Sequence, residues 1–418
     1  MRRLAHAVFF ITVLALLTVP FAGCSASSQS GSPVQSGTSN PAATENAAKL
    51  QASPSSKASS VSKEPLKIGA VLSITGPNAP LGRAESNALK LLEEELNAKG
   101  GINGRLVNVI TYDDESDETK AVMVVKKLIS DDNALAIIGS TGSGQTLAMM
   151  PVVEGASVPL VSLASAAKIV DPVQKWIFKT AQRDSSAVSK IDDYLKQKGL
   201  TKAAIIFDSN AYGVSGKEQL EALAPADGIT IVSKETYNSK DTDMTAQLTR
   251  IKGSNAQALI VWGSNPGPAI ITKNARELNM TMPILHSAGS ANDAFIKTAG
   301  KAANGVLIPT SKMLVADDLP ASDPQKPVLI HFREAYKAKY GEVPGTFAGN
   351  AYDAFQLIVH AIEKKGATRA QIRDGIESTE NLVGINGIFN MSAKDHNGLS
   401  KDGFVMIEVA DGKWTLAK

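Results

Sequence analysis

From Leu66 onward the chain alternates short apolar, β-branched runs with amphipathic stretches of helical period, and this alternation most narrows what it can become. Leu66–Ser73 reads as a buried strand, and Ala84–Ala98 places Ala88, Leu91, Leu92 and Leu96 on one helical face. Strands over 106–112, 134–138 and 159–162 follow, separated by helical patterns near 120–129 and after Ser143. The rhythm restarts after Lys179, with strands over 203–207, 230–234, 258–262 and 283–286 between helices over 187–198, 215–223, 244–251 and 269–278. Further helices over 328–339 and 351–364 precede short strands that run to Trp414. Strand–helix–strand repetition demands parallel strands joined by right-handed crossovers. Two such runs of similar size predict an α/β protein of two Rossmann-like lobes with parallel-rich central sheets.

In open α/β sheets, ligands bind beyond the carboxyl ends of the strands. The loops after Leu72, Tyr112, Ile138, Val161, Phe207, Trp262 and Leu285 are rich in Ser, Thr, Asn and Gly, which suits neutral donors around a small molecule. The segment Gly139–Thr146 nearly matches a phosphate-binding loop, but Gln145 replaces its lysine and removes nucleotide binding. What survives is a helix N-terminus with the hydroxyls of Ser143 and Thr146, either a carboxylate seat or a simple Gly-rich cap. Tyr212 opens a helix after a strand-end loop and serves as an aromatic wall or as packing, whereas Trp262 and Tyr352 read as packing.

Catalytic signals are poor. No G-x-S-x-G elbow occurs, since Gly213-Val214-Ser215-Gly216-Lys217 lacks the last glycine, and the five His form no metal-ligand spacing. The acidic run Asp113–Glu118 lacks EF-hand spacing and reads as a solvated loop. A single Cys excludes a disulfide framework and multi-cysteine metal sites. The chain is therefore read as a non-enzyme without cofactor or metal. The charge, 43 Lys+Arg against 41 Asp+Glu, is too balanced for a nucleic-acid surface.

That one Cys has a telling place. Arg2 and Arg3 precede an apolar run from Ala7 to Ala22, then Gly23 and Cys24, which reads as a secretory signal over 1–23. Cys24 sits where a lipobox would be modified, giving a membrane anchor without a transmembrane helix. Thirteen of the 40 residues from Ser25 to Glu64 are Ser, so 24–65 reads as a lipidated Cys and a disordered linker. Its reach as a flexible coil is ~35 Å.

Segments along the whole of Leu66–Lys418 resemble one family. They include 67–82 (KIGAVLSITGPNAPLG), 97–117, 137–166, 208–216 (DSNAYGVSG), 348–366 and 392–414. The chain is similar to substrate-binding lipoproteins of ABC importers, in the leucine/isoleucine/valine-binding branch of the type I periplasmic binding fold. The resemblance implies three crossovers near Thr180, Ile308 and Asn390, with lobe 1 over 66–180 and 309–390 and lobe 2 over 181–308 and 391–418. It implies a monomer that closes on a small carboxylate in the cleft and delivers it to a membrane permease. An amino acid of branched-chain type is the first expectation, with an aromatic or aliphatic acid, or a sensing role, as alternatives.

Carried across, Ser143, Ala164 and Ala166 match carboxylate and ammonium contacts of the first lobe, joined by Asn78. Tyr212 matches the second-lobe aromatic, and Asn265 falls where another tyrosine often stands. Ala288 occupies the place of the acid that pairs with the ligand ammonium, and Ala166 replaces a threonine. Either Asp208 or Asp293 takes over the pairing, or the ligand has no ammonium and His286 donates to a carboxylate.

Overall fold

A computed structural model describes residues Glu64–Ala417, so the signal, Cys24 and nearly all of the linker lie outside the described residues. The chain opens with β1 (Leu66–Leu72), α1 (Ala79–Ala98), β2 (Val107–Asp113), α2 (Glu118–Ser130), β3 (Ala136–Gly139), α3 (Ser143–Ala156), β4 (Leu160–Ser162) and β5 (Ile177–Lys179). These five strands form one sheet in the order β2-β1-β3-β4-β5, parallel throughout.

A second run follows: α4 (Asp184–Gln197), β6 (Lys202–Asp208), α5 (Ala211–Leu223), β7 (Thr230–Tyr237), α6 (Thr245–Gly253), β8 (Ala258–Trp262), α7 (Gly267–Glu277), β9 (Ile284–His286), α8 (Asp293–Ala299) and β10 (Val306–Ser311). The chain then supplies α9 (Lys326–Tyr340), α10 (Thr346–Lys365), α11 (Arg369–Glu377) and the short pair β11 (Leu382–Val383) and β12 (Ile388–Phe389). It ends with β13 (Phe404–Ala410) and β14 (Lys413–Leu416). The second sheet has the order β14-β13-β10-β9-β8-β6-β7 and is parallel except for β13 and β14. Ile308 lies inside β10, so the chain leaves this sheet only after Ser311.

Each sheet is covered on both faces, which is why its strands read as continuous apolar runs. Alternation with period two sorts the side chains. Ala204 and Ile206 of β6 join one cluster with Leu259 and Val261 of β8, while Ala203 and Ile205 join another with Ala258, Ile260 and Trp262. In the first sheet, Ile68, Ala70, Ala136 and Ile138 face α1 and α10, and Val71 and Ile137 face α2 and α3. Each fully buried Val, Leu or Ile side chain here contributes ~1.5–3 kcal/mol of transfer free energy.

The two lobes repeat one close approach. A Cβ on Gly82 of α1 would stand 2.2 Å from the Ser73 carbonyl oxygen, and one on Gly213 of α5 would stand 1.9 Å from that of Asp208. Only glycine lets α1 press against the loop after β1 and α5 against the end of β6, and Asn78 and Tyr212 beside those contacts line one cavity. Among the described residues no helix is long and apolar enough to cross a membrane.

Candidate ligand cleft

The strand ends of both sheets face a cavity of about 410 Å³ lined from both lobes. Its first-lobe wall is the N-terminus of α3. Gly142 is the N-cap and has no side chain to offer, and Thr146 is the first residue to donate back along the helix, to Gly142 O at 3.0 Å. The N–H groups of Ser143, Gly144 and Gln145 find no acceptor among the described residues. Three such donors at the positive end of a helix make a seat for a carboxylate. Ser143 Oγ lies beside them and accepts the Ala166 N–H at 3.3 Å.

Buried hydrogen bonds fix this wall from behind. Asp114 accepts from Ser73 Oγ at 2.7 Å and from Ser140 Oγ at 2.5 Å, and Thr146 Oγ1 accepts the Ser140 N–H at 3.1 Å. Thr141 Oγ1 donates to Glu85 at 2.5 Å, and burial raises the Glu85 pKa well above the ordinary carboxylate range.

Along the floor, Gln182 Nε2 donates to Asn386 O at 2.5 Å, Asn386 Nδ2 to Asn350 Oδ1 at 2.9 Å, and Asn350 Nδ2 to Leu163 O at 3.0 Å. Gln182 lines the cavity, is only 4% exposed, and its Oε1 has no partner. The second-lobe wall is Tyr212, whose hydroxyl accepts the Gly289 N–H at 3.2 Å and whose ring tilts against Trp262 at 6.2 Å.

The lobes touch beside the cleft. The Ala167 N–H donates to Ser215 Oγ at 3.0 Å, and that hydroxyl donates to Asp184 Oδ2 at 2.6 Å. Lys179 Nζ, at the end of β5, donates to Ser165 O at 2.7 Å. Burial pushes the Asp184 pKa up to about 7, opposed by the charge of Lys179, and burial pushes Lys179 down to about 8.

Of the residues picked from sequence, Asn78, Ser143, Ala164 and Tyr212 line the cavity, as does Ala288. Ala166 does not; it backs the wall, 1% exposed, through its bond to Ser143. Asn265 is buried within the second lobe and does not line the cavity, its side chain donating to Asn292 Oδ1 at 3.0 Å. His286 is fully buried on the face that packs on Phe295, held by Thr272 Oγ1 and Ser290 Oγ at 3.1 Å each. Burial, with a smaller push from Arg276, takes its pKa down to about 3, so it is a neutral core residue with no route to a ligand carboxylate.

Neither acid considered for an ammonium reaches the cleft. Asp208 accepts from Ser239 Oγ at 2.8 Å and from the Asn210 N–H at 3.1 Å. Asp293 lies by Trp414 in a separate groove. Among the described residues, the carboxylates that do line the cavity are Asp117 and Glu118, from the run read as a solvated loop, and no Lys, Arg or His lines it. Sequence reading also missed Gln182, Asn350 and Asn386. Gln182 follows β5, a strand of three residues too short to carry a period, while nothing local marks the two asparagines.

The periplasmic binding protein family matches residues 65–413. The leucine-, isoleucine-, valine-, threonine- and alanine-binding protein of Pseudomonas aeruginosa is 25% identical over 309 residues, 73% of this chain and 80% of that protein. An extracellular ligand-binding receptor from Rhodopseudomonas palustris superposes with a TM-score of 0.80 at 31% identity, over 84% of this chain and 99% of its own. The branched-chain amino acid transporter substrate-binding protein LivJ from Streptococcus pneumoniae, solved with isoleucine, gives 0.75 at 27% identity over 85% and 99%. A two-lobed α/β chain with this cleft, matched along nearly all its folded length, belongs to the type I periplasmic binding proteins of the leucine/isoleucine/valine-binding branch, extracytoplasmic substrate-binding proteins rather than enzymes.

Proposed function

We propose that this protein captures an α-amino acid of branched-chain type in the cleft and delivers it to an ABC permease. The lining carries the reading: three N–H groups without an acceptor form an anion seat, yet among the described residues the only charged side chains lining the cavity are the carboxylates of Asp117 and Glu118. A zwitterion satisfies both features, whereas a plain aromatic or aliphatic acid would bring a third negative charge with nothing to balance it. Leu81, Leu163 and Phe347 offer apolar surface for an aliphatic side chain. The names of the relatives above agree with this ligand class.

In this reading, 66–180 with 309–390 and 181–308 with 391–418 are the bodies that close on the ligand. A lipid on Cys24 holds the monomer at the membrane. Thermal unfolding with leucine, isoleucine, valine, benzoate and 4-methylpentanoate tests the ligand class. Ligand at 100 times its Kd adds ~2.7 kcal/mol of stability. Stabilisation by the two plain acids and by none of the amino acids would reverse the assignment. Membrane fractionation of a Cys24→Ser variant tests the tether, which fails if the variant still sediments with membranes.

A further inference from the structure

Resting on the amino-acid reading, we propose that Glu118, on the first lobe, is the group that meets the ligand ammonium. The loop after β9 offers Ala288 to the cleft, and Asp208 and Asp293 are engaged elsewhere. Of the two lining acids, Asp117 is already committed, because its Oδ1 accepts the Lys120 N–H at 2.7 Å and caps α2. The Glu118 side chain makes no hydrogen bond or ion pair with any described residue.

Its position fits the role. Glu118 Oε1 lies 2.2 Å from where a Cβ on Gly144 would stand, so this carboxylate rests against the first turn of α3, beside the anion seat. Gly144 admits it there because it has no side chain. An α-amino acid carries its ammonium two bonds from the carboxylate carbon. A ligand whose carboxylate accepts from the Ser143 and Gly144 N–H groups therefore presents its ammonium close to that seat, where Glu118 is the unengaged counter-charge. The same placement works against a ligand without an ammonium, since Glu118 then repels the bound carboxylate.

Isothermal titration tests this with whichever of leucine, isoleucine or valine binds most tightly, together with its deaminated acid (4-methylpentanoate for leucine). Glu118→Gln should weaken the amino acid roughly 10- to 100-fold, the range of a charge-assisted hydrogen bond. The deaminated acid should bind the variant as well as or better than it binds the wild type. Glu118 is exposed at the first turn of α2, so the unliganded variant should melt close to the wild type. Gly144→Ala, which expels the same carboxylate, should weaken the amino acid and add little in the Glu118→Gln background. Unchanged amino-acid affinity in Glu118→Gln overturns the assignment and leaves the amino-acid reading standing, as does equal weakening of both ligands. Failure of the wild type to take any amino acid removes both.

Discussion

Ser215 is a single hydroxyl serving two partners from different parts of the chain, and replacing it with alanine separates their contributions. It is 5% exposed, donates to Asp184 at 2.6 Å, and accepts the Ala167 N–H of the opposite lobe at 3.0 Å. Burial first, against the pull of Lys179 and Ser215, sets the Asp184 pKa at about 7. Because the folded value lies above the ordinary one, Asp184 supports stability fully below pH ~4 and loses that support as pH rises through 7. Ser215→Ala removes a donor to the charged form, so the loss should steepen. We expect the unliganded protein to lose about 1 kcal/mol at pH 5.5, where the carboxyl is mostly neutral, and roughly 2–3 kcal/mol at pH 8.5. Urea unfolding at the two pH values gives both numbers. Since the Ala167 bond joins the lobes, ligand affinity should also fall, by about 3- to 10-fold. Removing the neighbouring exposed pair, Lys168 and Glu218, is the control and should change little. Equal cost at both pH values would refute the titration argument, and full affinity in Ser215→Ala would refute the interlobe one.

Three further outcomes follow from the cleft and the second lobe. Ser143→Ala should weaken ligand by ~1–3 kcal/mol and also lower the melting temperature, because the buried Ala166 N–H loses its acceptor; titration and thermal unfolding together separate the two effects. Gly216→Ala drives a Cβ to 2.0 Å from the Trp262 ring, so denaturant unfolding should show a loss of ~1–3 kcal/mol, and an unshifted midpoint would mean that α5 moves freely on β8. The buried neutral His286, with its pKa pushed down to about 3, stabilises above the unfolded value of 6.5 and loses that contribution as pH falls. Between pH 7.5 and 4 the wild type should therefore lose about 3 kcal/mol more than His286→Gln, at 1.36 kcal/mol per pKa unit.

The fold was legible because buried parallel strands between helices leave unmistakable apolar runs, and Leu66–Leu72 or Ala258–Trp262 can be little else. Part of the cavity lining was legible for a related reason: Ser143, Ala164 and Tyr212 follow strand ends, which face the cleft in such folds. His286 misled because it too sits at a strand end, yet parity decides its direction. Ile284 and Leu285 enter opposite clusters, and His286 shares the side of Ile284, away from the cleft. Asn350 and Asn386 were invisible because they reach the floor from a helix and a loop some 170 to 200 residues downstream of Gln182 and Thr180, as their hydrogen bonds show. Only tertiary structure states such a separation. Glu118 stood in an acidic run whose composition describes solvation equally well.

The last strands of the second sheet have a temporal meaning. β13 pairs with β10, and Phe404, its first residue, lines the cleft. Until that final stretch arrives, β10 is an open edge and the cleft lacks part of its wall, although every residue of the anion seat is already present. A chain emerging N-terminus first would thus assemble the first sheet early and hold the second one unfinished. The cleft wall is completed only by β13, so a chain shortened before Phe404 would expose a pairing edge and leave the cavity open together.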